Sequence, residues 1–251
     1  VSKVKTIFSC CIVFLLVLGC CLGMTNQTVQ SVYNNKPLRK IPVYNVERSD
    51  KKVALTFDAA WGADKTQGII DILNKYNVKG TFFLVGFWVD KYPEMVKAIS
   101  DSGFDIGNHS KCHLHMPTLS VGEITKEIEY VNAKVKDITG KQPKFFRAPF
   151  GDYNNQLLEC LEEQNMIGIQ WNIDSLDWKG LGADEILART TAKTRDGSII
   201  LFHNNSDHIL DALPLVITTL LNKGFVPTTL SDLVYQDNYT IDNNGAQHRK
   251  I

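Results

Sequence analysis

Beyond residue 24 the chain has only two cysteines, Cys112 and Cys160; the other four, Cys10, Cys11, Cys20 and Cys21, lie near the N-terminus. Two cysteines do not make a disulfide framework, so the fold must stand on its core. Net charge is also lacking, because 27 basic residues balance 27 acidic ones. With no excess of one sign and no basic stripe interleaved with aromatics, nucleic acid is excluded as a partner, and a neutral or weakly charged one fits better. No internal repeat or low-complexity tract is present. What remains is ordinary globular composition, 44% hydrophobic and 22% charged over 251 residues, enough for one sizeable core or a single barrel.

The N-terminus departs from that average. Lys3 and Lys5 precede an uncharged apolar run from Ile7 to Met24. A basic start followed by such a run marks a secretory signal or a signal anchor, and implies export to the cell envelope. The run is at the short end for spanning a bilayer, so cleavage and membrane anchoring both stand. Val17-Leu18-Gly19-Cys20 weakly resembles a lipoprotein cleavage box, with Leu18 off the pattern. Residues 25–50 are polar, with Pro37 and Pro42, and read as a linker. The folded domain is expected over 51–237, with a polar tail over 238–251.

From Lys51 a regular alternation begins. Lys52–Phe57 is a short apolar run ending at Asp58, a buried-strand pattern, and Lys65–Tyr76 places Ile69, Ile70, Ile72 and Leu73 at helical spacing. Strands are expected at Gly80–Val85, Phe104–Gly107, Phe145–Phe146, Gly168–Ile173 and Ser198–Phe202. Between them fall helices at Pro93–Ser102, Ser120–Thr139, Leu157–Gln164, Ala183–Arg195 and Leu210–Lys223. The long one opens with a capping box, Ser120 and Glu123, and stops at Gly140. Short buried strands alternating with amphipathic helices predict a parallel α/β arrangement of about seven strands, a barrel or a doubly wound sheet.

The unusual residues fall at the strand ends. Asn108–His115 puts His109 and His113 four apart, which on a helical turn brings two imidazoles to one side, a known zinc-binding device. Asp58, His109, Arg147, Asp174 or Asp177, and His203 each follow the carboxyl end of an expected strand. In α/β folds that edge carries the active site, and five ionisable groups on one edge are hard to treat as incidental.

Five ordered motifs carry a resemblance: Thr56-Phe57-Asp58, His109-Ser110-Lys111-Cys112-His113, Arg147-Ala148-Pro149-Phe150-Gly151, Asp174-Ser175-Leu176-Asp177-Trp178 and Leu201-Phe202-His203. Together they resemble the polysaccharide deacetylase family, carbohydrate esterase family four, over roughly Lys52 to Val234. The Asp58-Ala59-Ala60-Trp61-Gly62 opening further resembles a sporulation-associated branch. The resemblance implies a distorted (β/α) barrel and metal-dependent removal of N-acetyl groups from chitin-like or peptidoglycan glycans. It makes Asp58 the general base held by Arg147, and His203 the general acid oriented by Asp177. His109 and His113 become ligands of a divalent ion, zinc first, with cobalt or nickel as alternatives. The Phe150 N–H would help stabilise the oxyanion, and Trp178, Trp61 and Leu201 would line the groove. The chemistry asks for these types. An amide needs its carbonyl polarised, a carboxylate to deprotonate water, and an acid for the leaving amine.

One position departs from the family's pattern. The second residue of its Asp-Asp-Gly motif completes a His-His-Asp metal triad, and here it is Ala59. A methyl group cannot coordinate. Either Asp64, His115, Asp58 or Cys112 substitutes, or the site holds metal weakly, or the chain binds glycan without hydrolysing it.

Overall fold

The computed structural model describes residues 39–250. The expected leader over 1–24 and most of the linker lie outside them. Among the described residues no helix is long and apolar enough to cross a membrane.

The scaffold is a parallel sheet curved into an incomplete barrel. Its strands are β2 (Lys52–Ala59), β3 (Thr81–Leu84), β4 (Asp105–Asn108), β5 (Phe145–Phe146), β6 (Ile167–Gly168), β7 (Ile173–Asp174) and β8 (Ile199–His203). They run in the order β6-β5-β4-β3-β2-β8-β7, with β9 (Val226–Thr228) also paired to β2. The expected distorted (β/α) barrel is the architecture found. β2 lies at the centre because its sequence is apolar on both faces: every residue after Lys52 is buried.

Strand alternation sorts the two faces. Val53, Leu55 and Phe57 join the outer core against the helices, while Ala54 joins an inner cluster with Phe83, Phe145, Ile169 and Ile199. Asp58 and Thr56 share the inner face with Ala54, and His203 shares it with Ile199. The outer layer is made by α1 (Thr66–Lys75), α2 (Gly86–Lys91), α3 (Pro93–Asp101), α4 (Val121–Thr139), α5 (Asn155–Glu163), α6 (Ala183–Thr191) and α7 (Ile209–Asn222), with a short α8 (Leu230–Leu233). α4 starts as expected, with the Glu123 carboxylate accepting from the Ser120 N–H at 2.8 Å, and stops at Gly140 in a left-handed conformation. α6 ends four residues before the expected Arg195.

Two expectations differ from the structure. Gly168–Ile173 is not one strand. Its ends are β6 and β7 on opposite edges of the open sheet, and 169–172 crosses between them. The run is apolar because it covers the barrel interior: Ile169 bridges Val43, and the Gln170 N–H donates to Val43 at 2.7 Å. The linker and tail also contain strands. β1 (Asn45–Val46), β10 (Tyr239–Ile241) and β11 (Ala246–Arg249) form a second sheet of order β1-β11-β10. Polar composition hid it, because buried Gln247 serves as a pin, exchanging hydrogen bonds with the Tyr235 backbone at 2.7 and 2.9 Å.

Candidate active site

Four strand ends converge on the inner face. Asp58 on β2 stands in register beside His203 on β8. Asn108 on β4 is in register with Phe146 on β5, so the next residues, His109 and Arg147, are brought together. Gly107 makes room for this: a Cβ there would lie 2.4 Å from the Phe83 ring, and the Arg147 guanidinium rests 4.2 Å from that ring's centre.

Arg147 is fully buried, donating from one terminal nitrogen to Asp58 Oδ1 at 2.7 Å and from the other to the Gln170 carbonyl at 3.2 Å. Asp58 is 6% exposed. Burial alone would raise its pKa, but the charge of Arg147, helped by His109 and His203, holds it below the usual carboxylate range. Asp58 is thus a carboxylate kept ionised inside the protein.

His203 has the opposite treatment. Its Nδ1 lies 2.7 Å from Asp177 Oδ1, and its backbone N–H donates to Asp177 Oδ2 at 2.9 Å. Burial pulls its pKa down, but the hydrogen bond and charge of Asp177 outweigh that and hold it above the ordinary value. Asp174 makes no such contact with His203 and accepts instead from the Leu176 N–H and the Trp171 indole. Arg147 thus favours the charged form of Asp58, and Asp177 favours the charged form of its neighbour His203.

The histidine segment is a loop rather than a helical turn, with Ser110 and His113 at positive φ (64° and 56°). Gly86 lets it dock, since its N–H donates to Ser110 at 2.9 Å and a Cβ would lie 2.8 Å from the Lys111 backbone. From α4, the buried Glu127 carboxylate accepts the Cys112 N–H at 2.7 Å, and Asn132 accepts from Asn108 at 2.9 Å. Sequence inspection missed both; buried polar residues on the apolar face of an otherwise amphipathic helix were the available signal.

The loop nevertheless brings the two rings within 5.0 Å, edge to face. His109 Nδ1 donates to the Arg147 carbonyl at 2.7 Å, and burial keeps the ring neutral, so Nε2 is bare and lies 3.5 Å from Asp58 Oδ2. That is the tautomer a metal ligand requires. Burial, and then His109, push His113 down to about 4, so it too is neutral.

Among the described residues no third ligand joins them, and Asp58 is already held by Arg147. Ala59 is fully buried in the outer apolar core. Asp64 is exposed ahead of α1. His115 is engaged by Asp152 at 3.1 Å and by the Phe150 ring, and the Cys112 thiol is raised by burial and by Glu127. Among the described residues no three His, Cys, Asp or Glu side chains are placed to hold a metal ion together. The residues present do not make a complete metal site.

Around the opening, Trp61, Phe150 and Trp178 are 64%, 59% and 60% exposed. Leu201 is only 3% exposed, so it floors the site beneath His203 rather than lining a groove.

With this geometry established, the comparisons agree. The polysaccharide deacetylase family profile matches residues 45–169. The peptidoglycan-N-acetylglucosamine deacetylase of Bacillus cereus is 36% identical over 72% of this chain and 68% of its own length. The uncharacterized protein YlxY of Bacillus subtilis is 30% identical over 78% of this chain, and the match spans only 61% of that relative's length. Among solved structures, a CE4-family pseudoenzyme from Bacillus anthracis superposes with a TM-score of 0.74 at 30% identity, covering 84% of this chain and 73% of that one. A mutant of that pseudoenzyme with restored enzymatic activity gives 0.75 at 34% identity, over 78% and 71%. The chain belongs to the polysaccharide deacetylase family.

Proposed function

We propose that this chain is an envelope hydrolase that removes N-acetyl groups from a polysaccharide, peptidoglycan or a chitin-like polymer. The observation that carries this is the in-register pair Asp58 and His203, each with its own partner, driving their pKa values apart. Separated pKa values in adjacent groups are how an acid and a base are assigned at one pH.

In the proposed reaction Asp58 accepts a proton from water, and the water oxygen attacks the acetyl carbonyl carbon. The Phe150 N–H takes the role of oxyanion donor that the family resemblance gives it. As the C–N bond breaks, His203 donates the proton on its second ring nitrogen to the leaving amine, giving acetate and a free amino sugar. Arg147 keeps Asp58 ionised, and Asp177 orients His203 and favours its protonated form.

In this reading a divalent ion, with zinc first and cobalt or nickel as alternatives, finds two imidazoles and binds more weakly than at a three-residue site. Ala59 also favours a second reading, glycan binding without turnover. The pseudoenzyme character of the Bacillus anthracis relative supports that alternative. Export, with the N-terminal segment cleaved or kept as a membrane anchor, places either activity at the cell wall.

The discriminating experiment is acetate release from chitin oligomers and peptidoglycan, with metal content measured on the same preparation. Acetate release that Asp58→Asn abolishes supports the hydrolase. Sugar binding with no acetate at any metal concentration supports the silent binder.

A further inference from the structure

The open sheet carries a strap. Residues 43–46 run from one edge, where Val43 pairs with Ile169 just past β6, to the start of β8, where Asn45 pairs with Ser198. The Val43 N–H donates to the Gly168 carbonyl and the Val46 N–H to the Gly197 carbonyl, each at 2.9 Å. Two glycines in the left-handed region make room for it. A Cβ on Gly197 (φ 74°) would lie 1.7 Å from the Val46 carbonyl oxygen, and one on Gly245 (φ 80°) would lie 2.3 Å from the Tyr44 ring. Val43 itself is fully buried inside the barrel, in one cluster with Phe83, Phe145, Ile169 and Ile199.

This strap reaches Asp58 in three steps. The Val43 carbonyl accepts the Gln170 N–H at 2.7 Å, the Gln170 carbonyl accepts from Arg147 at 3.2 Å, and Arg147 donates to Asp58 at 2.7 Å. Gln170 is buried and lies in the 169–172 crossing, which belongs to no strand. The sheet ladder therefore does not fix it, and the strap does. The guanidinium in turn depends on Gln170. Arg147 Nε has no hydrogen-bond partner among the described residues, so the Gln170 carbonyl is the one acceptor besides Asp58 that orients the group. The Phe83 ring, 4.2 Å away, limits it on one face only. A charge-assisted hydrogen bond gains its strength from geometry, and geometry here is set from behind.

We propose that Val43 and Gln170 are positioning residues for Asp58. The strap holds the crossing, the crossing holds Arg147, and Arg147 is thereby aimed at the carboxylate. Detaching the strap frees the guanidinium before the sheet itself opens, because the strap is held by a few edge contacts and β2 by strands on both sides. This rests on the reading of Asp58 as the base of the proposed reaction. It extends the support of that base from Arg147 to a segment outside the barrel strands.

The test is native-state hydrogen exchange by NMR on the full chain, Val43→Ala and Val216→Ala. Both valines are fully buried and lose the same atoms, but Val216 lies on α7 in the outer core. In the unaltered chain the Gln170 N–H and the Arg147 guanidinium N–H groups should exchange through one opening, with the same denaturant dependence and ahead of the β2 amides. Val43→Ala should speed both at least about tenfold more than Val216→Ala does. Arg147 exchange that follows β2 instead of Gln170 would overturn the strap, and the unaltered chain alone shows this even if Val43→Ala does not fold. An equal response to the two variants would overturn it too. In acetate release, Val43→Ala should lower kcat at least about tenfold and leave KM little changed, whereas a change in KM alone would contradict a positioning role. Exchange involves no sugar. An unaltered chain that releases no acetate therefore sinks the hydrolase reading, while exchange still decides the strap.

Discussion

Asp58 and His203 each have a partner whose charge outweighs the effect of burial, Arg147 for one and Asp177 for the other. His109 and His113 have no such anion of their own: the carboxylate nearest to His109 is already held by Arg147, and the neighbouring position is a methyl group. In the proposed reaction the acid–base half of the cluster is complete, while among the described residues the imidazole half is one ligand short. A site can keep the pair that moves protons while losing part of the group that polarises the carbonyl, because different strand ends hold the two.

The largest expected effects lie in the complete half. Asp58→Asn should lower turnover by about 10²–10⁴-fold. Asp58→Ala should in addition leave Arg147 buried without a counter-ion and destabilise the fold by roughly 3–5 kcal/mol in urea denaturation. A loss under about 1 kcal/mol would mean that Arg147 finds water, and that the half is looser than described.

The pH profile sharpens the same contrast. Asp58, with a lowered pKa, stays ionised until pH falls below the usual carboxylate range, so the acid limb lies low. His203, with a raised pKa, stays protonated past its ordinary value, so the alkaline limb lies high. Asp177→Asn removes the raising charge and should move only the alkaline limb to lower pH. An unmoved limb would show that another group titrates there.

In the imidazole half the expected effects are smaller. Glu127→Gln weakens a charge-assisted hydrogen bond that shapes the histidine loop and should cost about 1–2 kcal/mol of stability. Phe150→Gly should relieve the left-handed backbone and gain about 1 kcal/mol in thermal unfolding, while weakening glycan binding. No gain would mean that ring contacts with His113 and His115 offset the strain.

How much of this was legible in sequence follows from which signals are local. The alternation of buried strands and amphipathic helices marked the barrel, and strand-end positions marked Asp58, His109, Arg147 and His203, because both patterns reside in neighbouring residues. The split of Gly168–Ile173 was not legible, since an apolar run looks the same whether it pairs along its length or crosses between two edges. β1, β10 and β11 were missed because their stability comes from partners distant in the chain and from a buried Gln247 that reads as polar tail. The spacing of His109 and His113 reads as a helical turn, whereas the segment is a loop. The loop is instead held by the Gly86 N–H donating to the Ser110 carbonyl, by Glu127 accepting the Cys112 N–H, and by Asn108 accepting the Ser110 N–H at 2.8 Å, none of which spacing encodes.

The central claim is that this site is complete for proton transfer and one anionic ligand short for metal. Zinc titration of the purified chain and of Ala59→Asp, by calorimetry with metal content as a check, tests it most directly. The account predicts weak zinc binding by the chain as it stands, and binding tighter by at least about tenfold in the variant. Tight stoichiometric zinc in the unaltered chain, unchanged by Ala59→Asp, would contradict it.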